Sequence, residues 1–377
     1  MRLGVTTFGG DGGKSGIGRY IRSLLAAMAK SRGTDHIEML TDKDERAAFV
    51  PEDTKSLDFP GILRHPVGDI AWHQLALPAL SLARRYDALF LPAANRRLSV
   101  WSPVPTIGTF HDAGIFHLSS KYDRSRHFYL TKVLPRMVRS LDHVLTVSEY
   151  SKRDLVEKLG VPAERITVTP LAADRSVYHP VDRKEAAAHV LQRFNVQEPY
   201  ILYVSRLEHP GKNHVRLIEA YTEAVSSHGV RHQLVLAGSD WSGAEAVHAA
   251  AERSSASRSI HFLGFVPEAD LPTLYGAADG LVFPSLFEGF GLPVLEAMSC
   301  GLPVASSNAA SLPEVAGSAA LLFDPYDIDA MAHSIASICL DESLSARLRQ
   351  RGLEWSAQFS WERAAQSTWE VIRRLAK

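Results

Sequence analysis

Cysteine is scarce in this 377-residue sequence, which contains only Cys300 and Cys339. Such a pair forms neither a disulfide framework nor a metal-ligand spacing, so we expect a reducing compartment. Apolar stretches of the ~20 residues that a membrane-spanning helix needs are absent. Dense basic runs and nucleic-acid recognition motifs are absent too, and nucleic acid is therefore not an expected partner. Together these absences favour a cytoplasmic protein that is not integral to a membrane.

The composition is that of an ordinary globular protein, with 46% hydrophobic and 22% charged residues. At ~150 residues per domain, the length predicts about two domains. Charge is divided unevenly along the chain. Residues 1–190 contain 27 Lys and Arg against 21 Asp and Glu, whereas the remainder contains 14 against 21. We therefore expect two domains with different partners.

Short apolar, β-branched runs alternate with helical patterns along the whole chain. This alternation predicts parallel sheets that are covered by helices on both faces. The fold class is therefore α/β, with two doubly wound Rossmann-like domains that face a deep cleft. The predicted domains are residues 1–182 and 195–356, with a linker from Tyr178 to Pro199. The strand-like runs are 3–7, 37–41, 88–92, 106–110, 144–148, 166–169, 200–204, 233–237, 260–263, 280–283, 304–306 and 320–323.

A glycine-rich segment, FGGDGGKSGIGRY at residues 8–20, lies between the first strand-like run and a helical pattern at 17–29. It misses two nucleotide-binding motifs by one residue each. A P-loop needs glycine where Phe8 stands, and the dinucleotide fingerprint needs glycine where Ser15 stands. A glycine turn at a helix N-terminus can still attract an anion through its N–H groups and the helix dipole. A tight turn that binds nothing is the alternative.

The most informative segment is FPSLFEGFGLPVLEAM at residues 283–298, which follows a strand-like run and opens a helix. Its glycines allow the N–H groups of Phe290, Gly291 and Leu292 to point toward one place. Such a turn binds an anion or a ring of hydroxyls.

Two carboxylates, Glu288 and Glu296, flank this turn in the sequence. Contact with a phosphate would be repulsive, so we expect each of them to accept hydrogen bonds from the hydroxyls of a sugar. A helix start with two incidental glutamates is the alternative interpretation.

The pattern Glu288-x7-Glu296, with Gly-Phe-Gly-Leu-Pro inside it, resembles the signature of retaining GT-B glycosyltransferases of family 4. The resemblance extends over almost the whole chain. It implies that Glu288 and the backbone amides after it hold the transferred sugar, while Glu296 holds the ribose of the nucleotide. It also implies that the final helix, within residues 357–377, completes the first domain.

Shorter elements resemble the same family. SRLEHPGKNH at residues 205–214 contains Arg206, which is expected to end a strand, and Lys212, which is expected to begin a helix. The resemblance implies that these cations neutralise the donor diphosphate, so no metal ion or other cofactor is expected. It further implies that His111 lies near the donor sugar and that Gly16 approaches the donor phosphate.

Each of these elements also has a structural interpretation. Arg206 and Lys212 could be a solvated surface pair. An unpaired charge directly after an apolar run would be costly, however, which speaks against this for Arg206. A lone histidine at a strand end, such as His111, is ordinarily structural.

As a whole, the sequence most resembles bacterial mannosyltransferases of polysaccharide assembly. GDP-mannose is therefore the first candidate donor, and the expected acceptor is lipid-linked or a saccharide. Residues 121–139 combine basic and apolar side chains in a helical pattern. They predict either peripheral contact with an anionic membrane or a helix docked on the sheet. The basic residues are Lys121, Arg124, Arg126, Lys132, Arg136 and Arg139.

Three other functions stay open on the sequence. A sugar-nucleotide epimerase would use the same two-domain fold and need no acceptor. A dinucleotide-dependent dehydrogenase is indicated by the glycine turn and by Asp42 after the second strand-like run, although it leaves the Glu288–Glu296 pattern unexplained. A non-catalytic sensor would bind the sugar nucleotide without releasing the nucleotide.

Overall fold

The computed structural model shows a chain that folds into two compact units. One unit is formed by residues 1–171 together with the chain from residue 360, and the other by residues 172–359. The residues that the structure describes are 1–13, 15–61, 65–95, 98–112 and 133–376, without the side chains of 66 and 67.

The first unit contains a seven-stranded sheet in which all neighbouring strands are parallel. Its strands are β1 (Arg2–Thr6), β2 (His36–Asp42), β3 (Lys55–Phe59), β4 (Ala88–Leu91), β5 (Thr106–Phe110), β6 (His143–Thr146) and β7 (Ile166–Val168). The order is β3-β2-β1-β4-β5-β6-β7, so the direction of winding changes between β1 and β4. Every residue of β4, β5 and β6 is buried, which explains their largely apolar sequences.

The edge strand β3 is missing from the strand-like runs of the sequence. It contains Lys55 and Asp58, and none of its five residues is fully buried. An edge strand of this kind lacks the apolar run by which the central strands are recognisable.

The helices of the first unit lie between its strands. They are α1 (Gly16–Lys30), α2 (Arg46–Phe49), α3 (Pro66–Ala71), α4 (Leu77–Arg84), α5 (Leu134–Arg139) and α6 (Glu149–Leu159). A π-helical turn, Trp72–Ala76, joins α3 to α4 into one helical segment. α1 buries Ile21, Leu24, Leu25 and Met28, which recur at helical spacing on one side.

The second unit contains a six-stranded parallel sheet in the order β10-β9-β8-β11-β12-β13. Its strands are β8 (Tyr200–Val204), β9 (Gln233–Ala237), β10 (Ile260–Gly264), β11 (Gly280–Phe283), β12 (Val304–Ser307) and β13 (Leu321–Phe323). Its helices are α7 (Arg183–Phe194), α8 (His214–His228), α9 (Ala244–Arg253), α10 (Leu271–Ala277), α11 (Leu292–Ser299), α12 (Leu312–Ala316), α13 (Ile328–Leu340) and α14 (Glu342–Ser356). Two parallel, doubly wound units confirm the predicted fold class, and the cleft between them stays a prediction.

The last helix, α15 (Trp361–Leu375), returns to the first unit and packs against α1. Trp369 is 1% exposed, and its Nε1 donates to the Met28 carbonyl oxygen at 3.2 Å. Arg373 Nε donates to Asp35 Oδ2 at 2.9 Å. The first unit is therefore built from two separate parts of the chain.

The chain crosses between the units at other places than the predicted boundaries. Residues 172–182, which were predicted to belong to the first domain, lie in the second unit. The predicted linker lies there too. Its helix α7 packs against α10, and Arg183 Nη2 lies 2.6 Å from Glu198 Oε1 and 2.7 Å from Asp279 Oδ1. The crossings instead fall at 171/172 and 359/360.

The basic segment 121–139 lies mostly outside the described residues, which here begin at 133. In α5, Leu134, Met137 and Val138 are buried in the core of the first unit, whereas Arg136 and Arg139 are exposed. For this part, the docked-helix interpretation therefore holds. Within the described residues, none of the helices has both the length and the apolar character that a membrane crossing requires.

Candidate active site

Two loops of the second unit meet where its sheet changes winding direction. β8 and β11 are neighbours in the sheet, and the loops after them are residues 205–213 and 284–291. Open α/β sheets bind ligands outside the carboxyl ends of their strands at such a point. The Leu286 amide donates to the Gly211 carbonyl at 3.0 Å, and Asn213 Nδ2 donates to the Pro284 carbonyl at 3.1 Å. These bonds fix the two loops to each other.

The loop after β11 ends at the N-terminus of α11. Gly291 has a φ of +109°, and a Cβ atom there would lie 2.6 Å from a leucine side chain of α12, so this position requires glycine. Ser311 Oγ lies 2.9 Å from the carbonyl oxygens of both Glu288 and Phe290. Among the described residues, none accepts a hydrogen bond from the amides of Phe290, Gly291 or Leu292, and no side chain caps α11. Three uncapped amides and the helix dipole together can bind an anion.

Lys212 and Glu288 form an ion pair beside these amides. Lys212 Nζ lies 2.7 Å from Glu288 Oε1, and the side chains are 20% and 16% exposed. Lys212 lies in the turn before α8 and not at its first residue, where it was expected. Because an ammonium group has three donors, Lys212 can bind a phosphate oxygen without releasing Glu288. Two groups predicted from separate motifs are thus direct neighbours.

Tyr203 supports this ion pair from β8. Its hydroxyl donates to the Lys212 carbonyl at 2.8 Å. Burial and the charge of Glu288 raise the pKa of Tyr203, so its hydroxyl stays protonated and remains a donor.

Arg206 follows β8 by two residues and is more accessible than its sequence context predicted. Its side chain is 52% exposed, so the charge is not buried after the apolar run, and the predicted cost of an unpaired charge there does not arise. The guanidinium carbon lies 4.7 Å from the centroid of the Trp241 ring, and Nη2 lies 3.5 Å from Glu208 Oε2. The Trp241 amide donates to the Leu207 carbonyl at 3.2 Å, which holds the two loops side by side. Arg206 is therefore positioned by stacking, with about half of its surface accessible to an anion.

Glu296 lies one turn into α11 and is only 2% exposed. The Tyr275 hydroxyl donates to Glu296 Oε2 at 3.0 Å, and Tyr275 is itself 1% exposed. Burial and the nearby charge of Glu296 raise the pKa of the Cys300 thiol, which therefore stays neutral. A ligand hydroxyl can reach Glu296 only through its small exposed part, so the carboxylate must already be oriented when the ligand arrives.

In the first unit, His111 follows β5 and is 7% exposed. Its Nε2 lies 2.8 Å from the Pro92 carbonyl oxygen, which can only accept, so Nε2 carries the proton. The Tyr20 ring of α1 packs edge-on against the imidazole with centroids 4.5 Å apart. The Tyr20 hydroxyl, whose pKa is raised by burial, lies 2.9 Å from Thr109 Oγ1. These contacts fix the plane and the tautomer of the imidazole.

The glycine turn packs closely against α1. Ser15 Oγ accepts from the Gly18 amide at 3.2 Å and caps the helix. A Cβ atom on Gly18 would lie 2.3 Å from the Gly10 carbonyl oxygen, so the close approach requires glycine there. Gly16 differs, because a Cβ atom on it would meet nothing within 4 Å. Packing explains Gly18 but not Gly16, whose role beside the donor phosphate stays a prediction.

Two doubly wound units, one of which combines uncapped amides with a Lys–Glu pair, are the architecture of GT-B glycosyltransferases. The sequence profile of the family Glycosyl transferases group 1 matches residues 186–355, and that of Glycosyltransferase Family 4 matches residues 14–177. The chain belongs to glycosyltransferase family 4, which confirms the predicted resemblance and the predicted enzyme class.

Two named relatives of the chain are also glycosyltransferases. O-antigen chain mannosyltransferase B of Escherichia coli is 39% identical over 270 residues, which are 71% of this chain and 70% of that protein. The serotype-specific mannosyltransferase WbdA of Escherichia coli is 32% identical over 252 residues, which are 66% of this chain but only 31% of WbdA.

Solved structures share the fold over the whole chain. A sucrose-phosphate synthase from Thermosynechococcus elongatus superposes with a TM-score of 0.76 at 22% identity, covering 100% of this chain and 99% of that one. HepE of Anabaena, in complex with UDP and glucose, superposes with a TM-score of 0.76 at 20% identity, covering 100% of both chains. At these identities, the likeness shows the fold alone.

The structure brings some of the predicted site residues together and leaves others apart. Lys212 contacts Glu288, and Glu296 lies on the helix that the uncapped amides begin. Across the described ranges, no contact joins Arg206 to either Lys212 or Glu288. The described residues also contain no group of three His, Cys, Asp or Glu that could hold a metal ion.

Sequence reasoning missed three residues that shape the site, Tyr275, Trp241 and Ser311. Each contacts its partner from a distant segment: Tyr275 binds Glu296 from α10, Trp241 stacks on Arg206 from the loop after β9, and Ser311 contacts Glu288 from the residue before α12. None lies within a motif, so only the fold reveals the contacts.

Proposed function

We propose that this glycosyltransferase transfers a mannosyl residue from GDP-mannose, with retention of configuration, to a lipid-linked or oligosaccharide acceptor in cell-surface polysaccharide assembly. The likeness to O-antigen chain mannosyltransferase B supports the mannosyl group and the polysaccharide context. The Lys212–Glu288 pair beside the uncapped amides of α11 is the observation that carries the reaction type. A phosphate and a sugar hydroxyl would be bound side by side there.

Departure of the nucleoside diphosphate places growing negative charge on a phosphate oxygen. Lys212, Arg206 and the N-terminal dipole of α11 offset this charge, and they are held in place before the reaction starts. A divalent cation performs this task in other transferases. We therefore propose a reaction that needs neither a metal ion nor another cofactor.

In the proposed retaining route, the acceptor hydroxyl attacks the anomeric carbon from the face that the diphosphate leaves. The bond from the anomeric carbon to the phosphate oxygen breaks, the bond to the acceptor oxygen forms, and the acceptor proton passes to the departing phosphate. Glu288 accepts hydrogen bonds from the transferred sugar and Glu296 from the ribose. His111 and Gly16 keep the roles that the family resemblance implies, near the donor sugar and the donor phosphate.

Glu288→Gln tests this assignment, because glutamine keeps the shape of the side chain and removes the charge that pairs with Lys212. Transfer of labelled mannose from GDP-mannose to a lipid-linked acceptor fraction should fall about 100-fold, while the protein still unfolds cooperatively. The matched control is Glu252→Gln, an exposed glutamate of α9, which should keep full activity. Undiminished transfer by the Glu288 variant would contradict the assignment.

The donor and the stereochemistry need separate measurements. At equal concentrations, GDP should raise the thermal midpoint more than UDP or ADP, because a ligand stabilises only the state that it binds. A larger shift with UDP would exclude GDP-mannose and leave the transferase intact. The one-bond carbon–proton coupling at the anomeric centre of the product should report an α-mannoside. The epimerase alternative is not favoured, since the named relatives are mannosyltransferases.

A further inference from the structure

The middle of the helical segment from α3 to α4 has an apolar outer side. Its inner side is buried in the first unit through Trp72, His73, Leu77 and Ser81. Between residues 70 and 83 the segment contains no charged residue, and every exposed side chain is apolar. We call this outer side the apolar face. It consists of Ile70, Ala71, Leu75, Ala76, Ala79, Leu82 and Ala83.

The large side chains of the apolar face are well exposed, with Ile70 at 61%, Leu75 at 73% and Leu82 at 59%. Soluble proteins commonly expose large apolar side chains singly, whereas a contiguous patch marks a binding surface. Eleven large hydrophobic side chains are exposed in the described residues, and five of them fall between residues 70 and 101. Exposure is therefore concentrated at this part of the first unit.

A loop extends the apolar face beyond the helix. It contributes Val100 and Trp101, which are 57% and 63% exposed. Gln74, the neighbour of Leu75, fixes this loop, because its Nε2 donates to the Leu98 carbonyl at 2.7 Å and its Oε1 accepts from the Val100 amide at 2.8 Å. These two bonds hold the loop beside the helix.

The unit that carries this surface is strongly basic. Its sequence contains 28 Lys and Arg against 20 Asp and Glu, a net charge of +8, whereas the second unit contains 13 against 22, a net charge of −9. Arg84 and Arg85 follow the apolar face directly, and Arg85 is exposed. In the sequence, Arg96 and Arg97 directly precede the loop. An apolar surface on a cationic unit fits a partner that is both apolar and anionic.

We propose that the apolar face, together with Val100 and Trp101, docks onto an anionic phospholipid bilayer. The aliphatic side chains enter the acyl boundary, the indole lies at headgroup level, and the exposed Arg85 beside the face meets lipid phosphates. A second copy of the chain fits less well, because a two-fold pair of these surfaces would bring together two units of net charge +8. The surface shares no residue with the basic segment 121–139 and does not depend on which sugar is transferred.

Flotation of the full chain with vesicles tests the proposal. The unchanged protein should float with phosphatidylcholine vesicles that contain about 30% phosphatidylglycerol, and less in about 0.5 M salt, which screens the attraction. The double variant Leu75→Glu with Leu82→Glu should lose about tenfold in bound fraction, because two charges would enter the acyl boundary. The matched control, Leu191→Glu with Leu340→Glu, changes side chains of the second unit that are 44% and 54% exposed, and it should float like the unchanged protein.

Trp101→Ser provides a second variant outside the helix and should lose about threefold in bound fraction. Since all substituted side chains are exposed, thermal midpoints should stay close to that of the unchanged protein, which separates docking from folding. Equal flotation of the Leu75/Leu82 variant, or no flotation of the unchanged protein, would overturn the proposal. So would a dimer in sedimentation without lipid that this variant abolishes, or loss of flotation only when residues 124, 126 and 136 are neutralised.

Discussion

The buried hydrogen bond between Tyr275 and Glu296 provides a stringent test of how the second unit recognises a nucleotide. Tyr275→Phe removes only the hydroxyl that donates to Glu296 Oε2 at 3.0 Å. The ring and its packing against Tyr178, with centroids 6.1 Å apart, are kept. If Glu296 binds the ribose, the substitution disorders the acceptor of the ribose hydroxyls without touching the ligand itself.

The size of the effect follows from the surroundings of this bond. A hydrogen bond to a charged acceptor contributes about 1.5–3 kcal/mol, against about 0.5–1.5 kcal/mol for a neutral one. Both side chains are at most 2% exposed, so water does not replace the lost donor easily. We therefore expect a loss of about 2 kcal/mol in the binding of a ribonucleoside diphosphate, or about 30-fold in its dissociation constant.

The assay compares GDP with 2′-deoxy-GDP by isothermal titration calorimetry. The unchanged protein should prefer GDP, and in Tyr275→Phe this preference should shrink, because the deoxynucleotide has less to lose at Glu296. Tyr200→Phe is the matched control: its hydroxyl is equally buried but donates to the Leu274 carbonyl at 2.7 Å. An equal loss for both nucleotides, or no loss for either, would refute the reasoning and leave the transferase assignment in place.

Two further predictions concern stability. Gly18→Ala should lower the free energy of unfolding by about 1–3 kcal/mol, and with it the thermal midpoint, because the new Cβ would lie 2.3 Å from the Gly10 carbonyl oxygen. Gly16→Ala, whose Cβ meets nothing within 4 Å, should leave the midpoint unchanged. Equal midpoints for the two variants would speak against the steric argument. Burial, followed by the charges of Arg374, Arg165 and Lys152, lowers the pKa of His143 to about 4. As the pH is lowered, the imidazole of the unfolded chain therefore takes up a proton before that of the folded chain. The free energy of unfolding should decrease as the pH falls from about 6.5 to about 4, and it should be independent of this group above that range. His143→Asn should flatten this slope in melting experiments, and an unchanged slope would count against the cause.

The central strands could be read from the sequence because burial on both faces leaves them apolar. β8, buried in all five residues, was predicted with the observed bounds, as was β5. β3 was not predicted, because it lies at an edge of the sheet and contains Lys55 and Asp58. Sequence patterns record burial, and they are weakest where a strand is half solvated.

The candidate site, too, contains residues that the sequence could predict and residues that it could not. Glu288, Glu296 and the amides between them share one loop and helix. One short sequence pattern therefore contained them all, and the family resemblance assigned them to one predicted site. The prediction that an unpaired charge at Arg206 would be costly failed, because a residue two positions beyond a buried strand had already reached the surface. Tyr275 could not be predicted, since its contact with Glu296 depends on how α10 packs in the second unit.

The return of α15 to α1 determines the order in which the two units can fold during synthesis. The second unit is one uninterrupted stretch, residues 172–359, and can assemble as soon as that stretch has left the ribosome. The first unit begins earlier but must wait, because Trp369 fills its place beside Met28 only after residue 375 has been made. Until then α1 has an uncovered apolar side, so the first unit starts before the second unit and is completed after it.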